Sequence, residues 1–198
     1  MLRGRRECVG LVLRSSGSAL SILSPQEGRV EKRWFKPLCR GPLHRGSLIS
    51  YISEKKQGQR VEIIEHLDLE HCATQLAFQD IYLLHYILEL CHYFVPIGSE
   101  AKEPFYFLVE LFQQFSTFPS PIQKKIVLCK LLALLGVCPD EASVQIIANE
   151  LRKMPIDKLL QAPLELNSEE LISRWLFWCI EMHPKGKFFK AMPLLLEK

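Results

Sequence analysis

The chain is poor in the groupings that mark an enzyme, a metalloprotein or a membrane protein. Its 198 residues contain no GxSxG, no GxxxxGK followed by Ser or Thr, no HExxH and no Gly-rich strand-to-helix turn of dinucleotide type. The familiar motifs of hydrolases, nucleotide triphosphatases and zinc proteases are thus missing, and binding is the better class, with an enzyme of unfamiliar motif as a lesser rival. Seven cysteines, Cys8, Cys39, Cys72, Cys91, Cys129, Cys138 and Cys179, are odd in number and never fall in a CxxC pair. Reduced thiols in a cytosolic protein are expected, with neither a disulfide framework nor a zinc knuckle. His85 and His92 stand seven residues apart on an expected helix, roughly 10 Å along its axis, too far to share a metal by themselves. No cofactor and no metal site are expected.

Long apolar runs are also missing. His85, Glu89 and His92 break the stretch from Ile81 to Ile97, and Lys130 interrupts Ile126 to Val137, so nothing reaches the roughly 18 residues of a membrane span. The Arg-rich start, MLRGRRECVGLVLRSSGS, is faintly similar to a transit peptide. The alternation from Val9 onward favours a tail leading into a strand.

What is present is an ordinary globular composition, 48% apolar and 24% charged, long enough to bury a core. The net charge of +3 conceals an asymmetry. Residues 1 to 60 carry thirteen Lys and Arg against four Asp and Glu, a net of +9, while residues 61 to 198 carry twelve against eighteen, a net of −6. A basic, polyanion-facing front on a mildly acidic body follows.

The front reads as strands. Val9, Leu11 and Leu13 alternate with Arg14 on the other face, and Ala19 to Leu23 forms a second short strand ending in SPQEG. A third strand, Gly28 to Lys36, sets Val30, Lys32, Trp34 and Lys36 on one face and Glu31, Arg33 and Phe35 on the other. Each face carries a ring and a cation, so alternation does not decide which is inward. Gly46 to Ser53 and Gln59 to Leu67 complete five strands, joined by EKKQG. Five short basic strands over residues 1–70 suit a small barrel, with an oligonucleotide-binding fold as the leading candidate.

Past Leu69 the apolar period becomes helical. Ile81, Leu84, Leu88, Cys91 and Val95 define a helix apolar over most of its circumference, stopped by Pro96 and Gly98. A second, from about Pro104 to Phe115, buries Phe105, Leu108, Phe112 and Phe115. Ser120, Pro121 and Gln123 start a third as N-cap, first residue and capping-box partner, and Gly136 ends it. A fourth runs from Asp140 to Lys153, with Val144, Ile147 and Leu151 inward. After a Pro-interrupted connection, Asn167 and Glu170 predict a capping box for a helix carrying Leu171, Trp175, Trp178 and Met182. The expected fold is α+β: a five-stranded barrel, residues 1–70, followed by an all-α domain, residues 71–198.

The stretch GRVEKRWFKPLCRGPLHRG, residues 28 to 46, concentrates the front's chemistry. Arg29, Lys32, Arg33, Lys36, Arg40 and Arg45 face one acid, Glu31, with Trp34 and Phe35 among them. Cations attract phosphate and flat rings stack on unpaired bases, so these residues are the candidate nucleic-acid interface, with Arg14, Lys55, Lys56 and Arg60 at its rim.

Four stretches, VGLVLRSSGSALSILSPQEGRVE, GSLISYISEKKQGQRVEIIEHLDL, KLLALLGVCPDE and WLFWCIEMHPKGKFFKAMPLLLE, are similar in turn to the first strands and turn, the later strands, a helical segment and the terminal helix of one family. Over nearly its whole length the chain thereby resembles the RecO family of bacterial recombination mediators. The resemblance implies an oligonucleotide-binding barrel with a helical domain that binds single- and double-stranded DNA, anneals complementary strands and helps load RecA onto DNA coated with single-strand-binding protein. Implied partners are RecR and the acidic tail of single-strand-binding protein, recruited through an apolar pocket rimmed by cations; Lys124, Lys125, Lys130 and Arg174 are candidates. A cytoplasmic, nucleoid-associated place in bacteria follows from the same resemblance. The four-cysteine zinc module of many members is absent, Cys138 standing alone, so a metal-free version is expected. The alternative is a non-enzymatic protein-interaction adaptor or an RNA-binding module.

Overall fold

A computed structural model of the chain describes residues 6–34, 43–54, 61–73, 80–114, 120–161, 166–184 and Phe189. Five strands come first: β1 (Arg6–Ser16), β2 (Ala19–Ser24), β3 (Gly28–Arg33), β4 (Ser47–Glu54) and β5 (Glu62–Cys72). They form one mixed sheet that closes into a ring in the order β1-β2-β3-β5-β4, with β4 returning to β1. All junctions are antiparallel except β3 with β5, which is parallel.

The ring settles which face of β3 is inward. Val30, Lys32 and Trp34 are buried while Glu31 and Arg33 are exposed. Inside, Val12, Leu20, Ile22, Val30, Trp34, Ile49, Tyr51, Ile64 and Leu67 make a compact apolar cluster. β5 runs five residues beyond the predicted Leu67, because its pairing with β4 continues to Ser47 opposite Cys72. Ladder hydrogen bonds carry the strand where the local apolar pattern fades.

Helices follow: α1 (Ile81–Phe94), α2 (Lys102–Gln114), α3 (Pro121–Leu134), α4 (Ala142–Lys153), α5 (Ile156–Gln161) and α6 (Leu166–Met182). Two starts are fixed by side chains. Asp80 accepts from the Leu83 amide at 2.9 Å, and Ser120 with Gln123 forms the predicted capping box, Gln123 accepting from the Ser120 amide at 2.7 Å. The second predicted box is not a cap, because α6 already begins at Leu166 and places Asn167 and Glu170 within the helix. The buried face of α6 is Ile172, Trp175, Leu176 and Cys179, while Met182 is exposed.

The nearly all-apolar α3 is the centre of the helical half, packed by α4, α6, α1, α2 and α5. Ring and helices share a core across residue 70. Leu11, Leu13 and Leu23 point out of the ring and join the helical cluster, whereas Val12 and Ile22 point in. The ordinary alternation of the pleat sends adjacent residues of β1 to opposite sides, and a bulge follows between Val12 and Arg14. The alternation read as one buried face is thus a strand buried on both, and each outward leucine contributes roughly 2 kcal/mol by leaving water.

A second seam joins the halves. The loop between α1 and α2 lies along the turn between β2 and β3, where the Arg29 amide donates to Pro96 O at 3.3 Å and the Ala101 amide to Pro25 O at 3.0 Å. Ile97 forms isolated bridges with Gly28 and Arg29.

Candidate nucleic-acid interface and helical groove

The structure sorts the expected interface residues into exposed and internal ones. Arg14, Arg33 and Arg45 are exposed. The Gly46 amide donates to Val12 O at 2.8 Å, which sets Arg45 beside the bulge that carries Arg14. Arg33 ends β3, paired with Ala19 on one side and Ile63 on the other. Phe35, Lys36, Arg40, Lys55, Lys56 and Arg60 lie outside the described residues.

Three candidates are corrected. Lys32, 4% exposed, points into the ring, where its ammonium bonds the Glu62 carboxylate and lies 3.8 Å from Glu27. A lysine so enclosed is not a surface phosphate ligand in this conformation; the paired carboxylates make its burial tolerable. Trp34 is 6% exposed and packs inside the ring, so it is not an available stacking ring; its amide donates to Ser18 O at 2.8 Å. Arg29 is spent on the joint, its guanidinium donating to the His92 carbonyl, with Glu31 at 4.0 Å. His92 Nδ1 in turn lies 3.3 Å from Ser21 Oγ.

Sequence reasoning missed Glu62 and Glu27. Only the parallel pairing of Lys32 with Glu62 brings the first of them to the lysine, and nothing local announces a pairing 30 residues apart. Glu62 also accepts from Ser53 Oγ at 2.8 Å, so one carboxylate ties β5 to both β3 and β4.

The helical candidates are mostly engaged. Lys124 pairs with Asp80, fastening α3 to the cap of α1. Lys125 donates to Ser173 Oγ at 3.0 Å and lies 3.6 Å from Glu169, and Arg174 bonds Glu141 at 2.7 Å on the surface. Lys130 is corrected outright as an exposed rim charge. It is 5% exposed and donates to the carbonyls of Leu151, Arg152 and Met154 at 2.7, 3.1 and 2.6 Å, closing the C-terminus of α4. Burial pushes its pKa below the ordinary lysine value, because the charged form gives up water. Arg152 reciprocates by donating to Ala133 O at 2.6 Å near the end of α3.

These helix ends wall an open groove of about 1000 Å³. Phe107, Leu134, Met154 and Ile156 supply apolar lining, and Lys102 and Lys153 stand at its exposed margin. Tyr106, 59% exposed, adds a ring. The sequence signal that would have found it is the pair Arg152 and Lys153 in the last turn of α4, where cations gather.

Burial pushes the Cys91 and Cys179 thiols up to about 12, which keeps them protonated and unreactive. Among the described residues no three His, Cys, Asp or Glu side chains are placed to hold a metal ion, and no described helix is long and apolar enough to cross a membrane. No protein-family model matches the chain, and no curated protein matches it significantly.

Proposed function

We propose that the chain is a DNA-binding recombination mediator of RecO type, which binds single strands on its ring, anneals complementary strands and helps load RecA onto strands coated with single-strand-binding protein. The observation that carries this reading is the strand order β1-β2-β3-β5-β4 closing on β1, with β3 parallel to β5. We read this ring as a barrel of oligonucleotide-binding type, a fold whose β2–β3 face and flanking loops take up single strands. The exposed cations of the ring support the same reading. Arg33 ends β3 in that face, Arg14 lies on β1, which adjoins β2, and Arg45 stands in the turn before β4, whose Gly46 amide bonds Val12 O. Annealing needs no hydrolysis, only a surface that neutralises two strands as they meet. The groove between α2, α3, α4 and α5 is apolar within and carries Lys102, Arg152 and Lys153 together with Glu103 and Glu110; its cations are the candidate contacts for the acidic tail of single-strand-binding protein, and RecR is a further expected partner.

The rival reading, an adaptor that binds protein or RNA, draws support from Lys32, Trp34 and Arg29, which are occupied internally. A triple variant separates the two. Arg14→Gln, Arg33→Gln and Arg45→Gln together should flatten the log–log salt slope for oligo(dT) by about 2, at about 0.7 per phosphate lost, with the circular dichroism unchanged. An unaltered slope and affinity would remove these arginines from the interface.

A further inference from the structure

The ring is closed unevenly. Among the described residues β1–β2, β1–β4, β2–β3 and β4–β5 are each joined by five to eight residue pairs, whereas β3 and β5 meet in two, Lys32 with Glu62 and Arg33 with Ile63. The side chains of the first pair are themselves bonded across the seam. Glu62 is further held by Ser53, and Glu27 reaches the same ammonium from the turn before β3. Lys32 thus has carboxylates where a phosphate ligand would have phosphate. Its register neighbour Arg33 is exposed on the outside of the same seam, and Trp34, the next residue, is buried with an indole Nε1 that has no hydrogen-bond partner.

We infer that the Lys32–Glu62 pair is an autoinhibitory latch on the β3–β5 junction: Glu62, assisted by Glu27, keeps Lys32 inside, and a single strand engaging Arg33 competes for Lys32 and draws it onto phosphate. The inference rests on the proposed single-strand binding and deepens it. Lys32 is then a reserve ligand, unused in the closed ring and recruited when the seam opens. Among the described residues two ladder pairs span this seam, so the phosphate has little backbone pairing to displace there. The exchange also balances charge, because the phosphate replaces the carboxylate as the partner of the ammonium. Glu62, freed toward water, keeps its bond from Ser53.

The test is binding of labelled oligo(dT) across a salt series by the full chain and by Glu62→Gln, which retains size and the Ser53 bond but loosens Lys32. The latch predicts that E62Q binds more tightly, about eightfold at about 50 mM salt for one added phosphate contact, with a slope steeper by about 0.7. Adding Lys32→Gln to E62Q should return both to the wild-type values. Unchanged affinity and slope in E62Q, with wild type binding normally, overturn the latch and leave the proposed function standing. A gain that survives in the double variant also overturns it, since removal of an acid alone would then be the cause. Absence of binding by both wild type and E62Q at low salt would instead overturn single-strand binding itself, and the latch with it. Should E62Q fail to fold, Glu27→Gln at the partly exposed turn tests the same restraint, with a smaller gain expected and no gain counting against it.

Discussion

Gly28→Ala is expected to lower folding stability by about 2–5 kcal/mol, the sum of a left-handed backbone penalty of about 1–2 kcal/mol and an overpacking cost of about 1–3 kcal/mol. Gly28 has φ +62°, and a methyl group there would stand 1.9 Å from the Ser99 carbonyl oxygen. That oxygen is backbone, so relief requires the α1–α2 loop to move off the turn between β2 and β3. The Arg29–Pro96 and Ala101–Pro25 hydrogen bonds would be lost with it. Gly17→Ala is the matched control. It has φ +57° and nothing within 4 Å of the added carbon, so only the backbone part of the cost should appear. Urea denaturation of the three proteins checks both values; equal losses in the two variants would mean that the loop does not press on the ring.

Lys130→Met should cost about 2–4 kcal/mol. Methionine keeps most of the stem's packing in the apolar body of α3 but donates nothing, which takes a donor from the carbonyls of Leu151, Arg152 and Met154 and leaves Leu151, among the described residues, with only the Met154 amide at 3.3 Å. Each buried acceptor left unmatched costs about 1–3 kcal/mol, reduced here by water reaching in from the groove and by release of the ammonium's own desolvation. The damage should be local as well as global. Hydrogen exchange in the last turn of α4 and in α5 should quicken more than exchange in the ring. A variant as stable as the wild type would show that the ammonium's desolvation cancels everything its three bonds supply.

Much of this architecture is legible in the sequence because it is written in local signals. The Ser120–Gln123 capping box, the Gly136 stop and the switch from two-residue to helical periodicity near residue 70 each depend on residues a few positions apart. The sequence resolves less where the outcome depends on distant pairing. Whether Trp34 or Phe35 faces inward is undecided by alternation, and only closure of the ring turns Trp34 inside. Lys32 looks like a surface cation because its partner stands 30 residues away on β5. Lys130 looks like a break in an apolar helix, yet it is the C-terminal closure of α4, more than 20 residues on. Leu11 and Leu13 are correctly apolar, but they face the helices and not the ring interior. In each case the residue type is right for burial or charge, and the geometry that assigns its role is tertiary.

The asymmetry of charge has a related lesson. Seen along the chain it marks the first 60 residues as basic, but in the fold part of that charge is internal. Arg29 fastens ring to helices and Lys32 fastens β3 to β5, which leaves Arg14, Arg33 and Arg45 as the exposed cations among the described interface candidates. The salt dependence of the proposed binding reports how many cations engage.

Binding of the purified chain to a fluorescent single strand across a salt series, followed by addition of the complementary strand, tests the central claim most directly. About four neutralised phosphates would give a log–log slope near −3 on single strands, and annealing faster than in the protein's absence would follow. No binding at low salt, or binding that salt does not weaken, would contradict the nucleic-acid reading of the ring and leave the adaptor in its place.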